Sequence, residues 1–108
     1  MELPLLEAAE DGDLEKLQFL ISNGEDINSA DDEGYTALMY ACNEGHYPIV
    51  ECLIEQGADL NLTDAAGWAA LDFATLSLEE GRKIPNQDII DLMVQHGAVM
   101  GASADYPV

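Results

Sequence analysis

The sequence predicts an all-α solenoid of three stacked helix–turn–helix units with projecting β-turns, and three observations carry the prediction. The chain matches itself at a shift of 33 residues: Gly12 falls on Gly45, Asn23-Gly24 on Gln56-Gly57, Asp26-Ile27-Asn28 on Asp59-Leu60-Asn61, and Gly34-Tyr35 on Gly67-Trp68. Apolar positions follow the same shift, Leu5 onto Leu38, Ala8 onto Ala41 and Leu17 onto Val50. Each unit holds two short apolar helical patterns and a glycine-bearing turn, which cannot bury their apolar faces alone and must stack. A length of 108 residues allows one domain.

In the first unit the apolar set is Leu5, Ala8, Leu17, Leu20 and Ile21. Glu7, Glu10, Asp11, Asp13 and Glu15 suit an end unit whose outer face meets water. In the second, the turn Asp31-Asp32-Glu33-Gly34 leads into a helix over Ala37-Leu38-Met39-Tyr40-Ala41-Cys42, and Gly45 stops it. A second helix follows with Pro48 in its first turn, where a missing N–H costs little. Its residues Ile49, Val50, Leu53 and Ile54 form one stripe at helical spacing, and Gly57 ends it. Thr36 is placed to cap the first helix; Leu3 and Ala69 stand there in the other units, a loss of about 1 kcal/mol each. Asp72, in the first turn of its helix, recovers part of that through the helix dipole.

The third unit departs from the period. Gln56-Gly57-Ala58 returns as His96-Gly97-Ala98 at a shift of 40, so seven residues are inserted. Three of them lengthen the first helix by about a turn through Leu76-Ser77-Leu78-Glu79-Glu80. Four enlarge the loop Arg82-Lys83-Ile84-Pro85-Asn86. That loop holds two of only three cations, so Arg82 and Lys83 are candidate secondary contacts on an otherwise tolerated surface insertion.

The segments Gly34-Tyr35-Thr36-Ala37-Leu38, Glu44-Gly45-His46 and Gln56-Gly57-Ala58-Asp59-Leu60-Asn61 resemble the G-x-T-P-L-H, x-G-H and x-G-A-D-V-N segments of ankyrin repeats. The 33-residue period is that family's own, and the resemblance spans roughly residues 3 to 100. It implies an ankyrin-repeat domain over 1–100, with repeats at about 1–33, 34–66 and 67–100, and a tail over 101–108. The family's Pro-Leu-His survives only as Pro4-Leu5. Three units are the practical minimum, so the chain reads as a complete small array, monomeric on its own, with Tyr106-Pro107-Val108 free to pack on its open end.

Composition bounds the function. Asp and Glu number 22 against three Lys and Arg, a net charge of −19. Lys16, Arg82 and Lys83 are too few to neutralise phosphates, so neither nucleic acid nor an anionic membrane is an expected partner. A hydrophobic content of 48% argues for a packed fold over disorder. The N-terminus shows no basic, apolar leader, and Cys42 and Cys52 make no disulfide framework. The expected compartment is the reducing cytoplasm.

Twenty-two carboxylates invite a search for chemistry. Asp11-Gly12-Asp13, Asp26-Ile27-Asn28 and Asp31-Asp32-Glu33-Gly34 resemble parts of a calcium loop. From Asp11 and Asp31, however, the twelfth residues are Ser22 and Cys42 where an acid is needed. His46 and His96 lack a second ligand at metal spacing, and the two cysteines read as small buried apolar residues. No nucleophile elbow, phosphate loop or dinucleotide fingerprint is present. No catalysis, metal or cofactor is expected.

What remains is binding. The resemblance implies that the projecting turns and the solvent side of each first helix line a concave face. That places Glu10 and Asp11 there from the first unit; Asp32, Glu33, Tyr35, Asn43 and Glu44 from the second; and Ala65, Ala66, Trp68, Leu76 and Ser77 from the third. Tyr35 and Trp68 are the aromatic anchors within an acidic rim, although Trp68 also suits packing between units. Tyr40 and Phe73 fall inside helices and read as core. Met39 fits either class and stays among the contact candidates. Such a face would speed capture of a basic protein. One reading is a dedicated inhibitor that neutralises a basic enzyme, in the manner of an immunity protein. The alternative is a scaffold or assembly chaperone that shields a basic nucleic-acid-binding client. Self-association through an open end of the array is a third.

Overall fold

In the computed structural model, which describes residues 3–76 and 86–101 (for Leu76 the backbone alone), helices come in three pairs. They are α1 (Pro4–Asp11) and α2 (Leu14–Ser22), α3 (Ala37–Glu44) and α4 (Tyr47–Glu55), and α5 (Ala70–Leu76) and α6 (Gln87–Gln95). The first members start at residues 4, 37 and 70, a constant step of 33; the second members start at 14, 47 and 87, steps of 33 and 40. The extra seven residues therefore fall between the starts of α5 and α6. The longer helix and loop expected at 77–85, Arg82 and Lys83 with them, lie outside the described residues, as does the tail from 102 onward.

Caps and glycines set these bounds. Thr36 Oγ1 accepts the Met39 N–H at 3.3 Å, and Met39 Sδ accepts the Thr36 N–H at 3.5 Å, closing both ends of the first turn of α3. Asp13 caps α2 in the same sense, its carboxylate accepting the Lys16 N–H at 3.1 Å. Leu3 gives α1 no side-chain cap, and the helix opens with Pro4 instead. Gly12 and Gly45 end α1 and α3 in the left-handed conformation (φ 75° and 74°).

Helices α1, α3 and α5 pack in sequence as one layer, and α2, α4 and α6 as a second against it. Between the layers runs one core, from Leu5 and Leu17 through Leu38, Ile49, Val50 and Leu53 to Leu71, Ile89 and Met93. Cys42 and Cys52 are free thiols in that core, and Cys42 Sγ donates to Met93 Sδ at 3.2 Å. Burial pushes the Cys42 thiol far above its ordinary 9.0. Burial raises Cys52 too, so both behave as small apolar residues.

Polar side chains stitch one pair to the next at repeated positions. Asn28 Oδ1 accepts the Asp59 N–H at 2.8 Å; its counterpart Asn61 accepts the Val99 N–H at 2.9 Å and donates to the Gly97 carbonyl at 3.3 Å. The His46 ring donates through Nε2 to the Glu10 carbonyl at 2.9 Å, tying α4's start to α1's end. Among the described residues no helix is long and apolar enough to cross a membrane.

Candidate functional site

Two turns of identical design project beside the α1/α3/α5 layer. In the first, the Gly34 N–H donates to the Asp31 carbonyl at 2.9 Å, and Asp31 Oδ1 accepts the N–H groups of Glu33 (3.0 Å) and Tyr35 (2.9 Å). In the second, Gly67 donates to the Asp64 carbonyl at 2.9 Å, and Asp64 Oδ1 accepts from Ala66 and Trp68, each at 2.9 Å. Single antiparallel bridges, Ala30 with Thr36 and Thr63 with Ala69, close each base. The Ala65 N–H donates to the Glu33 carbonyl at 2.9 Å, so the turns stack. Gly34 is required there twice over: its φ is +85°, and a Cβ would stand 2.9 Å from the Asp64 Cα.

These turns hold Tyr35 and Trp68 over the layer, where they meet aromatic residues from α3 and α5. The Tyr35 ring lies 5.8 Å from both Tyr40 and Phe73, nearly perpendicular to each, at 73° and 82°. Trp68 lies 6.4 Å from Phe73 at 45°. Tyr35, Met39, Tyr40, Asn43 and Phe73 line a depression of about 190 Å³. Tyr40 and Phe73 are thus only half-buried, a correction to their reading as core. The 33-residue step places one on the other, so adjacent units stack aromatics at one helical position, a signal the sequence contained.

Carboxylates surround the rings. The Tyr40 hydroxyl donates to Asp31 Oδ2 at 2.6 Å. Burial alone would raise the Asp31 carboxyl, but the Tyr40 hydroxyl and the N–H groups of Tyr35, Glu33 and Gly34 outweigh it and hold it below the ordinary 3.8. Tyr40 moves the other way: burial raises it first, then its bond to Asp31 and the charges of Asp31 and Glu10. Tyr35 is raised by desolvation and by the charges of Glu33, Asp64 and Asp31. Both phenols are neutral at physiological pH.

The expected contact residues divide as follows. Glu10, Asp11, Asp32, Glu33 and Asn43 are exposed; Tyr35, Glu44 and Trp68 are half-buried. Asn43 donates to Glu44 Oε2 at 3.2 Å at the end of α3. Met39 is only 2% exposed. Its sulfur is committed to the Thr36 cap, so it floors the depression and offers no projecting contact. The Leu76 side chain lies outside the described residues. Asp31 and Asp64 were not among the candidates, though they organise both turns and face the rings. Among the described residues no three or more His, Cys, Asp or Glu are grouped to hold a metal ion.

No curated protein gives a significant sequence match to the chain. A family model described as ankyrin repeats (three copies) matches residues 5–104. That match covers nearly all of the 108 residues. The two layers, the stacked turns and the 33-residue step are what it describes: the chain belongs to the ankyrin-repeat family, whose members serve as protein–protein interaction modules.

Proposed function

We propose that the chain is a non-catalytic protein that captures a basic protein partner and inhibits or neutralises it. It does so through an acidic concave face in which Tyr35 and Trp68 are the anchors. The observation that carries the reading is the half-buried aromatic group of Tyr35, Tyr40, Phe73 and Trp68 within a ring of carboxylates. Aromatic side chains at a rim of one charge are what interface hot spots are made from, and the net charge of −19 steers a cationic partner towards them. Two buried, unpaired thiols fit work in a reducing cytoplasm.

The test is capture of partners from native lysate on immobilised protein, eluted in salt steps and identified by mass spectrometry. A Tyr35→Ala/Trp68→Ala variant, shown by circular dichroism to be folded, is run beside it. A basic protein that leaves with salt and is missing from the variant's eluate is the expected result. If that protein is an enzyme and the purified chain abolishes its activity, the inhibitor reading stands; if the client stays active on nucleic acid after release, the chaperone reading replaces it. Equal capture by the variant would place the binding face elsewhere.

A further inference from the structure

The aromatic depression is too small for a cofactor. Small-molecule sites typically span about 300–1,000 Å³, whereas this one measures about 190 Å³, the scale of a single side chain. Its lining combines three rings, Tyr35, Tyr40 and Phe73, with the Met39 floor and Asn43 at the edge. Rings present electron-rich faces, and a cation is attracted to them. Here the attraction is reinforced, because Tyr40 donates its hydroxyl proton to the Asp31 carboxylate at 2.6 Å and so polarises its ring towards greater negative charge. The charges of Glu10, Glu33 and Asp64 are felt at the two tyrosine hydroxyls as well. Among the described residues no lysine or arginine balances this, since helices α1, α3 and α5 contain neither and Lys16, the one described residue of either type, lies on α2 in the other layer.

We infer that this depression receives one basic side chain of the partner protein, an arginine in preference to a lysine, whose guanidinium stacks on the Tyr35–Tyr40–Phe73 group while the surrounding carboxylates neutralise it. The inference rests on the proposed basic partner and says which atom group of it is read. Arginine is preferred because its planar, weakly hydrated guanidinium loses less on entering an apolar, aromatic-lined site than a compact ammonium does. An acidic rim without the rings would attract any basic chain. The rings turn a diffuse field into a position on the surface.

The test uses three capped tripeptides, acetyl-Gly-Xaa-Gly-amide with Xaa arginine, lysine or the neutral arginine isostere citrulline, titrated into isotopically labelled protein and followed by backbone amide shifts. The arginine peptide is expected to move the amides of Tyr35, Tyr40, Asn43 and Phe73 in a saturable way, the lysine peptide more weakly and citrulline least. Phe73→Leu keeps the apolar bulk and removes a ring, so it should weaken the arginine peptide about two- to fivefold while leaving citrulline unchanged. Tyr35→Leu supplies the same comparison if Phe73→Leu does not fold. Equal shifts from citrulline and arginine, or a lysine peptide binding as tightly as arginine, would overturn the assignment. Arginine shifts confined to the turn residues 31–33 and 64–66, unaffected by Phe73→Leu, would sink the pocket while leaving the acidic face as a binder of basic chains. That broader reading fails only with the capture experiment.

Discussion

Ala69 has no side-chain oxygen with which to cap α5, and Asp72 supplies one from the third helical position. Its Oδ2 accepts the Ala69 N–H at 2.7 Å and the Gly101 N–H at 2.6 Å, so one oxygen holds both the start of α5 and the segment that follows α6. The residue is fully buried, and among the described residues its Oδ1 has no hydrogen-bond partner, so the carboxylate is itself costly to bury. Asp72→Ala strands two donors at about 1–3 kcal/mol each and relieves that cost; the net loss should be about 2–3 kcal/mol in urea unfolding followed by circular dichroism. Asp72→Asn keeps an acceptor and should lose about 1 kcal/mol; an equal loss in both variants would show that the hydrogen bonds are not what Asp72 contributes. The Tyr40–Phe73 repeat gives a second prediction, of opposite sign. Tyr40 bonds to Asp31, while Phe73, one step later, leaves the equivalent Asp64 without a hydroxyl. Phe73→Tyr should therefore stabilise the fold by about 1 kcal/mol, read as a higher urea midpoint at unchanged slope. Asp31 adds a pH signature: its carboxyl is depressed when folded, so its contribution is present above the ordinary 3.8 and is lost as pH falls through the lower folded value. The stability gap between the natural chain and Asp31→Asn should narrow below about pH 3.8, and a gap constant down to pH 2 would contradict the Tyr40–Asp31 bond.

Between elements, the repeated asparagines decide how tightly one helix pair holds the next. In a linear array stability is a sum of units and nearest-neighbour interfaces, so losing one stitch should loosen one junction and leave the far end alone. Asn61 makes two bonds across its junction where Asn28 makes one. At about 1 kcal/mol per bond, Asn61→Ala should cost about twice what Asn28→Ala does. It should also speed amide exchange in α6 while α1 is unchanged; uniform acceleration would instead mean that the array unfolds as a single unit. The helices themselves were legible because glycine stops, Pro48 and the Thr36 cap are local signals at fixed offsets, and the self-match repeats them. The turn acids Asp31 and Asp64 recur at the same step of 33, but their role was not legible, because only the folded turn shows each Oδ1 accepting two N–H groups and Asp31 Oδ2 taking the Tyr40 hydroxyl. The step that sets Tyr40 on Phe73 was in the sequence too, but not how far packing against the neighbouring unit leaves each ring uncovered. Met39 shows the same limit: its helical position fits either side of the layer, and only the packed unit shows its sulfur turned to the Thr36 N–H.

For the whole molecule, charge acts on folding and on binding with opposite signs. Folding gathers most of 22 carboxylates onto a small body, with Lys16 the one lysine or arginine among the described residues to oppose them. Self-repulsion therefore works against the folded state. Salt shortens the reach of each charge to about 10 Å at 0.1 M and about 3 Å at 1 M, and the core, the caps and the asparagine stitches owe nothing to that reach. The melting temperature should accordingly rise from low to moderate sodium chloride. Relief of about 1 kcal/mol corresponds to about 4–8 °C for a domain of this size. Over the same range the association rate with a basic partner should fall, because the long-range steering that brings it in is screened. A calorimetric melt and a stopped-flow association series across one salt ladder put both signs in a single comparison. If the melting temperature does not move, repulsion is already balanced within the fold and the acidic surface is not held under strain. If association is as fast at high salt as at low, the partner is selected by the aromatic residues alone and the excess of carboxylates serves some other end.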